Sequence, residues 1–183
     1  AVMCANQDAQ NNLRQRGYLR PTPLIPAVGV DTTLFTAQPQ APRVNFVLGY
    51  FGRLTLDKGL ETLLWALHGL PAHVKLRFIG NGPDKSALRA LAAQLNLGER
   101  VVFLPPRPPS ELITEYAQID ALVLPSRTTP VWKEQLGRVL LEAMACRVPV
   151  IGSNSGAITE VVDFSRGECF RIERLRLETH TIA

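Results

Sequence analysis

The chain has 183 residues, 46% hydrophobic and 20% charged, with a formal net charge of +4. That length suits one packed core with a short appendage, and the composition excludes disorder and a collagen-like repeat. The positive charge suits phosphate-bearing ligands or an anionic surface, but Lys and Arg form no run of five and no aromatics interleave with them, which argues against nucleic acid.

Cys4, Cys146 and Cys169 are widely separated and show no Cys-x-x-Cys spacing, so neither a zinc site nor a disulfide framework is expected, and a reducing, cytoplasmic compartment fits best. No apolar run reaches 18 residues, and the opening AVMCANQDAQ lacks the pattern of a secretory signal. A soluble domain is expected, with peripheral membrane association only in a full-length parent.

Along the chain, Asp8 to Arg16 reads as a polar helix ended by Gly17, and Pro21, Pro23 and Pro26 then impose extended backbone. Gly29-Val30-Asp31 adds a turn and Phe35 an apolar anchor, so residues 1–43 read as a linker and the remnant of something larger. From Val44 a regular alternation begins. The run VNFVLGY predicts a strand, and Leu60, Leu63, Leu64 and Leu67 predict a helix within Lys58 to Leu70. VKLRFIG (Val74 to Gly80) is the next strand, followed by an Asn81-Gly82-Pro83 turn and a helix over Asp84 to Leu95. Val101 to Leu104 is a third strand. A proline-rich connection then leads to a helix from about Ser110 to Gln118, for which Ser110 is a reasonable cap. Ala121 to Leu124 is a fourth strand; a loop over Arg127 to Leu136 leads to a helix from about Gly137 to Ala145, and Val148 to Gly152 gives a fifth strand.

Strands that read as continuous apolar runs separated by helices predict a parallel sheet of about five to six strands, Rossmann-like, with helices on both faces. Residues 44–162 are then the ligand-binding domain and 163–183 an extension, with a short strand near Cys169-Phe170 and a helix or frayed tail beyond. Ligands of such sheets lie past the carboxyl ends of the strands, where the turns after Tyr50, Gly80, Leu104, Leu124 and Gly152 gather.

Three segments on that edge carry candidate chemistry. Gly52 allows a turn without a Cβ, Arg53 offers a forked contact to phosphate oxygens and Lys58 a compact charge beside it, although the same residues also suit a solvated loop. Gly80 and Gly82 allow close approach of backbone to an anion at the next helix, or simply make a turn; the third glycine of a dinucleotide fingerprint is missing. Glu134 precedes a helix opened by Gly137 and Arg138, whose free amides suit phosphate. Glu142 falls among Val139, Leu140, Ala143 and Met144, so it either meets strong donors such as ribose hydroxyls or pairs with Arg138 one turn earlier. Cys146, His68 and His73 read as packing or helix-end residues, and no carboxylate pair is spaced for acid and base work.

The ordered series GYFGRLTLDKG, FIGNGP, VVFLPP, DALVLPS and KEQLGRVLLEAMACRVPVIGSNSG, followed by Glu160, resembles the C-terminal half of the retaining GT-B glycosyltransferases of family 4, also called group 1, over about Asn45 to Val162. The resemblance implies a nucleoside-diphosphate sugar donor, UDP- or GDP-hexose, and no cofactor or metal. It implies that Arg53 and Lys58 neutralise the diphosphate, that Glu134 contacts the sugar, that Leu136, Gly137 and Arg138 lie beside sugar and phosphates, and that Glu142 holds the ribose. Gly52, Gly80 and Gly82 would line the cleft, and Leu104 to Arg107 would approach the base. Arg147, Ser155 with Ala157, and Pro105-Pro106 stand where the family commonly has glycine. A complete member also has an acceptor-binding N-terminal domain, of which residues 1–35 resemble only the end, so this chain is expected to bind donor and transfer little unless a partner supplies the missing half. A nucleotide-sugar epimerase of the same fold and a non-catalytic assembly module are the competing readings.

Overall fold

A computed structural model describes residues 1–26, 29–40 and 42–162, together with the backbone of 169–172. The apolar runs form six parallel strands, β1 (Phe46–Phe51), β2 (Val74–Ile79), β3 (Val101–Leu104), β4 (Ala121–Leu124), β5 (Val150–Ser153) and β6 (Cys169–Ile172), in the order β3-β2-β1-β4-β5-β6. This bears out the Rossmann-like α/β expectation. β4 is buried at every position and β1 over its last four, because both stand at the centre of the sheet, covered on either side.

The helices are α1 (Gln7–Gln15), α2 (Leu60–His68), α3 (Lys85–Gln94), α4 (Pro109–Tyr116), α5 (Arg138–Ala145) and α6 (Ile158–Val161). α2 buries Leu60, Leu63, Leu64 and Leu67 along one stripe. Four such side chains contribute about 1.5–3 kcal/mol each, far more than the helix's intrinsic preference. Strand order runs outward from β1 to β3 and then outward the other way from β4, so right-handed crossovers place α2 and α3 on one face and α5 and α6 on the other.

Several boundaries move. Lys58 ends a 3-10 turn, Leu56–Lys58, and α2 begins only after Gly59 has turned the chain at φ 68°. Ser110 is not a cap. Pro108 occupies the cap position of α4 and Pro109 the first helical position, where a fixed φ is already helical and a missing N–H costs nothing, so Ser110 falls inside the first turn. β5 starts at Val150 rather than Val148, because the Val148 amide is used to close α5 on the Ala143 carbonyl at 2.9 Å.

Before the sheet, α1 is capped by Asn6, whose side chain accepts from the Ala9 amide, and the segment around Cys4 runs parallel to that around Leu24. Asp31 gathers Thr33 and the Leu34 amide into a turn, and Phe35 is buried with its ring edge-on to Tyr116. Phe35 is thus the anchor its apolar character suggests. Among the described residues no helix is long and apolar enough to cross a membrane. The helix or tail expected beyond β6 lies outside the described residues.

Candidate functional site

Two connections that leave the carboxyl ends of β1 and β4 meet where the strand order reverses, the place at which such sheets open a crevice. The first is held from beneath. Tyr50, buried, donates its hydroxyl to the Arg53 carbonyl at 2.7 Å; the Leu54 amide donates to Asn81 and the Leu56 amide to the Asp84 carboxylate. These bonds leave Arg53 exposed and turn Lys58 inward. Gly80 packs against the backbone of Gly52 with φ 152°, and a Cβ there would overlap the Gly52 carbonyl oxygen, so the two turns lie back to back because glycine stands at position 80.

Glu134 is the centre of the second connection. It is 9% exposed, and its Oε2 accepts from Lys58 Nζ and from the Ser126 hydroxyl, each at 2.7 Å. Its amide donates to Ser155 Oγ at 3.4 Å and its carbonyl accepts from the Ala157 amide at 3.0 Å, so the loop after β5 grips its backbone. Lys58 Nζ also lies 4.5 Å from the centre of the Trp132 ring. Glu134 is therefore turned inward rather than toward solvent. A carboxylate this covered is retained because a cation and a hydroxyl satisfy it.

α5 then starts at Gly137, whose φ of 71° is left-handed, pressed between Leu124 and Leu140. The helix points its first amides, those of Arg138 and Val139, at the same edge without intrahelical acceptors. Glu142 is 4% exposed; it takes a hydrogen bond from the Tyr116 hydroxyl at 2.9 Å and an ion pair from Arg138 Nε at 3.0 Å. The pairing with Arg138 is therefore real, and Glu142 also lines the cleft on this edge. A cleft of about 300 Å³ is lined by Gly52, Arg53, Gly80, Asn81, Arg107, Arg138 and Glu142, with Phe51, Ile79, Pro106 and Leu112 as an apolar wall.

Arg107 is held at one end of this cleft by Glu111 at 3.5 Å and Glu115 at 3.4 Å, and Glu115 is in turn paired with Arg77 at 2.6 Å. Six expected residues are not among those that line the cleft: Lys58 and Glu134, which pair with each other beside it, Gly137 at the start of α5, and three more. Leu104 supplies the carbonyl that accepts the Gly80 amide, Leu136 is half-buried in the approach to α5, and Gly82 packs on the backbone of Leu54. At the turn after Gly82 the Asp84 and Lys85 amides are spent on the Leu54 and Gly82 carbonyls. Glu160 caps a different helix, taking the Gln7 amide of α1 on both carboxylate oxygens at 3.0 Å, while Asp8 pairs with Lys133.

Burial, reinforced by the Glu142 carboxylate, pushes the Tyr116 phenol far above its ordinary pKa, and burial with Glu134 nearby does the same to Tyr50. Both hydroxyls therefore remain donors. Burial and Glu142 also push the Cys146 thiol up, which suits packing rather than reactivity. His68 Nδ1 sits 3.0 Å from the Leu95 carbonyl and His73 precedes β2, on the opposite edge from the cleft. Sequence reasoning missed Tyr116, Ser126 and Trp132 as site residues. Ser126, at the end of β4, stood where a signal existed; Tyr116 is 26 positions from Glu142, and no local pattern connects them. Among the described residues no cluster of three or more His, Cys, Asp or Glu forms a metal-ligand set.

Strand order, switch-point cleft and converging cations define a Rossmann-like α/β domain whose ligand edge suits an anion. The model of the family described as glycosyl transferases group 1 matches residues 32–170, and the chain belongs to that family. It is 36% identical over 148 residues to a GDP-mannose-dependent alpha-(1-6)-phosphatidylinositol monomannoside mannosyltransferase of Mycolicibacterium smegmatis, covering 73% of this chain and 39% of that protein. Among solved structures, Anabaena HepE in complex with UDP and glucose superposes with a TM-score of 0.73 at 26% identity, over 93% of this chain and 48% of that one. Sucrose-phosphate synthase from Thermosynechococcus elongatus superposes with a TM-score of 0.78 at 27% identity, over 93% and 44%. The chain thus spans less than half the length of each of these relatives. The GT-B resemblance read from the motifs is borne out for family and fold.

Proposed function

We propose that residues 44–162 are the donor-binding domain of a retaining hexosyltransferase, holding a nucleoside-diphosphate sugar by its diphosphate. The observation that carries this reading is one cleft onto which Arg53, Arg138 and the start of α5 converge beside a buried Glu142. Arg53 and Lys58, with the helix amides, take the diphosphate. Glu142 accepts from the ribose hydroxyls, its geometry set by Tyr116; Glu134 accepts from the sugar hydroxyls; and the apolar wall beside Arg107 takes the base. The UDP bound by the Anabaena relative and the GDP-mannose dependence in the mycobacterial relative's name support a UDP- or GDP-hexose.

Transfer would break the bond from the anomeric carbon to the phosphate oxygen, which leaves with the electron pair. The acceptor oxygen bonds to the same face, and its proton passes to the departing phosphate. Two cations and a helix N-terminus offset the charge that develops on the leaving group, which is the largest service a protein can give such a step, so neither a metal nor an enzymic nucleophile is required. Residues 1–43 are read as the end of an acceptor domain and the linker, and transfer by this chain alone is expected to be slight.

Calorimetric titration with UDP, GDP, ADP and their glucose or mannose derivatives tests the reading. Saturable binding, weakened at least tenfold by Arg53→Ala with Lys58→Ala, is expected. No saturable binding by the wild-type chain sinks it.

A further inference from the structure

We infer that the Lys58–Glu134 ion pair is an exchange device that makes the site select a nucleoside diphosphate still bearing its sugar over the bare nucleoside diphosphate. The inference rests on the proposed donor site and adds to it a rule for ligand choice and product release.

In the structure the two groups satisfy each other. Their side chains are 13% and 11% exposed and their charged atoms stand 2.7 Å apart. Trp132 covers Lys58 with an aromatic face and brings no anion, so the carboxylate facing that cation is Glu134. Glu134 cannot follow Lys58 outward, because Ser155 and Ala157 hold its backbone from both sides. A diphosphate that draws Lys58 to itself therefore leaves a covered carboxylate with the Ser126 hydroxyl as its remaining donor. Breaking one side of a buried pair in this way is costly, since the stranded charge keeps its desolvation penalty.

An attached hexose repairs the loss. Its hydroxyls are donors delivered to the place Lys58 has left, so the intact nucleotide sugar satisfies both halves of the opened pair and the bare nucleotide only one. The same arithmetic runs in reverse after transfer. Once the sugar has gone, Glu134 regains a partner only by recalling Lys58 from the phosphates, which favours release of the nucleotide. Glu142 behaves differently, because Tyr116 and Arg138 belong to it whether or not Lys58 moves.

Affinities of UDP, UDP-glucose, GDP and GDP-mannose for the wild-type chain, Glu134→Gln and Ser126→Ala decide the matter, with a thermal melt to check folding. The wild type is expected to bind the preferred sugar nucleotide on the order of tenfold tighter than the matching diphosphate, a difference of about 1.4 kcal/mol. Glu134→Gln carries no charge to strand, so it is expected to bind the bare diphosphate about tenfold more tightly than the wild type and to lose the discrimination. A purely structural role for Glu134 would not raise affinity. Ser126→Ala removes the remaining donor and is expected to widen the wild-type gap about tenfold, which keeps the test open should the glutamine variant fail to fold. Equal wild-type affinities for a diphosphate and its sugar derivative, or weaker diphosphate binding by folded Glu134→Gln, overturn the inference alone. Absence of binding by all four ligands overturns the donor-site reading with it.

Discussion

Arg147 turns the chain out of α5 with φ 58°, a conformation that L-residues with a Cβ adopt at a cost of about 1–2 kcal/mol. Its amide and that of Val148 return to the Met144 and Ala143 carbonyls, the closure that usually has glycine at this point. The position is one of those at which the sequence departs from the glycine common in the resembled family, so that departure has a local structural cost. Arg147→Gly is expected to raise stability by about 0.5–1 kcal/mol, the strain relieved minus the extra entropy of glycine in the unfolded chain. A chemical unfolding curve measures it, and a loss of stability would mean that Arg147 gains more from its side chain than the turn loses. By comparison Asn96, at φ 52°, is a residue type that tolerates this region. Nothing in a side chain's identity announces such strain, because φ is set by where the helix must stop.

The site depends on how connections nest. The turn after β1 and the turn after β2 lie in contact through Gly52 and Gly80, and both glycines line the cleft. Gly80→Ala puts a methyl group into the Gly52 carbonyl and is expected to destabilise the domain by about 2 kcal/mol or more while weakening nucleotide binding, read together by thermal melt and calorimetry. Unchanged binding by a stable Gly80→Ala chain would show that the two turns can separate. The strands were legible because buried parallel strands are apolar on both faces, and α2 was legible because its leucines repeat at helical spacing. The start of α4 was misread at Ser110, since a hydroxyl signals a cap only where the chain has not already been set by proline, and Pro108-Pro109 had done so.

Across the whole molecule, Tyr50 and Tyr116 join the sheet core to the two halves of the site, Tyr50 beneath the Arg53 turn and Tyr116 behind Glu142. Both phenols are held above their ordinary pKa, so folding favours their protonated form. Their contribution is complete below about pH 10, where an unfolded tyrosine is still protonated, and declines above it by about 1.4 kcal/mol per pH unit for each residue. Urea unfolding midpoints from pH 8 to 11 should therefore fall more steeply for the wild type than for a Tyr50→Phe, Tyr116→Phe double variant. Parallel slopes would show that neither phenol is coupled to folding.

The sequence alone determined the α/β class and the sheet edge on which the candidate residues gather, because apolar periodicity, turn glycines and motif spacing are local or ordered along the chain. It marked Arg53, Lys58, Glu134 and Glu142 but left open whether each was bound, paired or solvated. Only the tertiary structure decided that Lys58 meets Glu134 across 76 positions and Tyr116 meets Glu142 across 26. It also decided that Gly82 serves packing against Leu54 while Gly80 reaches the cleft. The physical reason is that pairing and burial depend on which loops the strand order β3-β2-β1-β4-β5-β6 brings together, and no segment carries that order by itself.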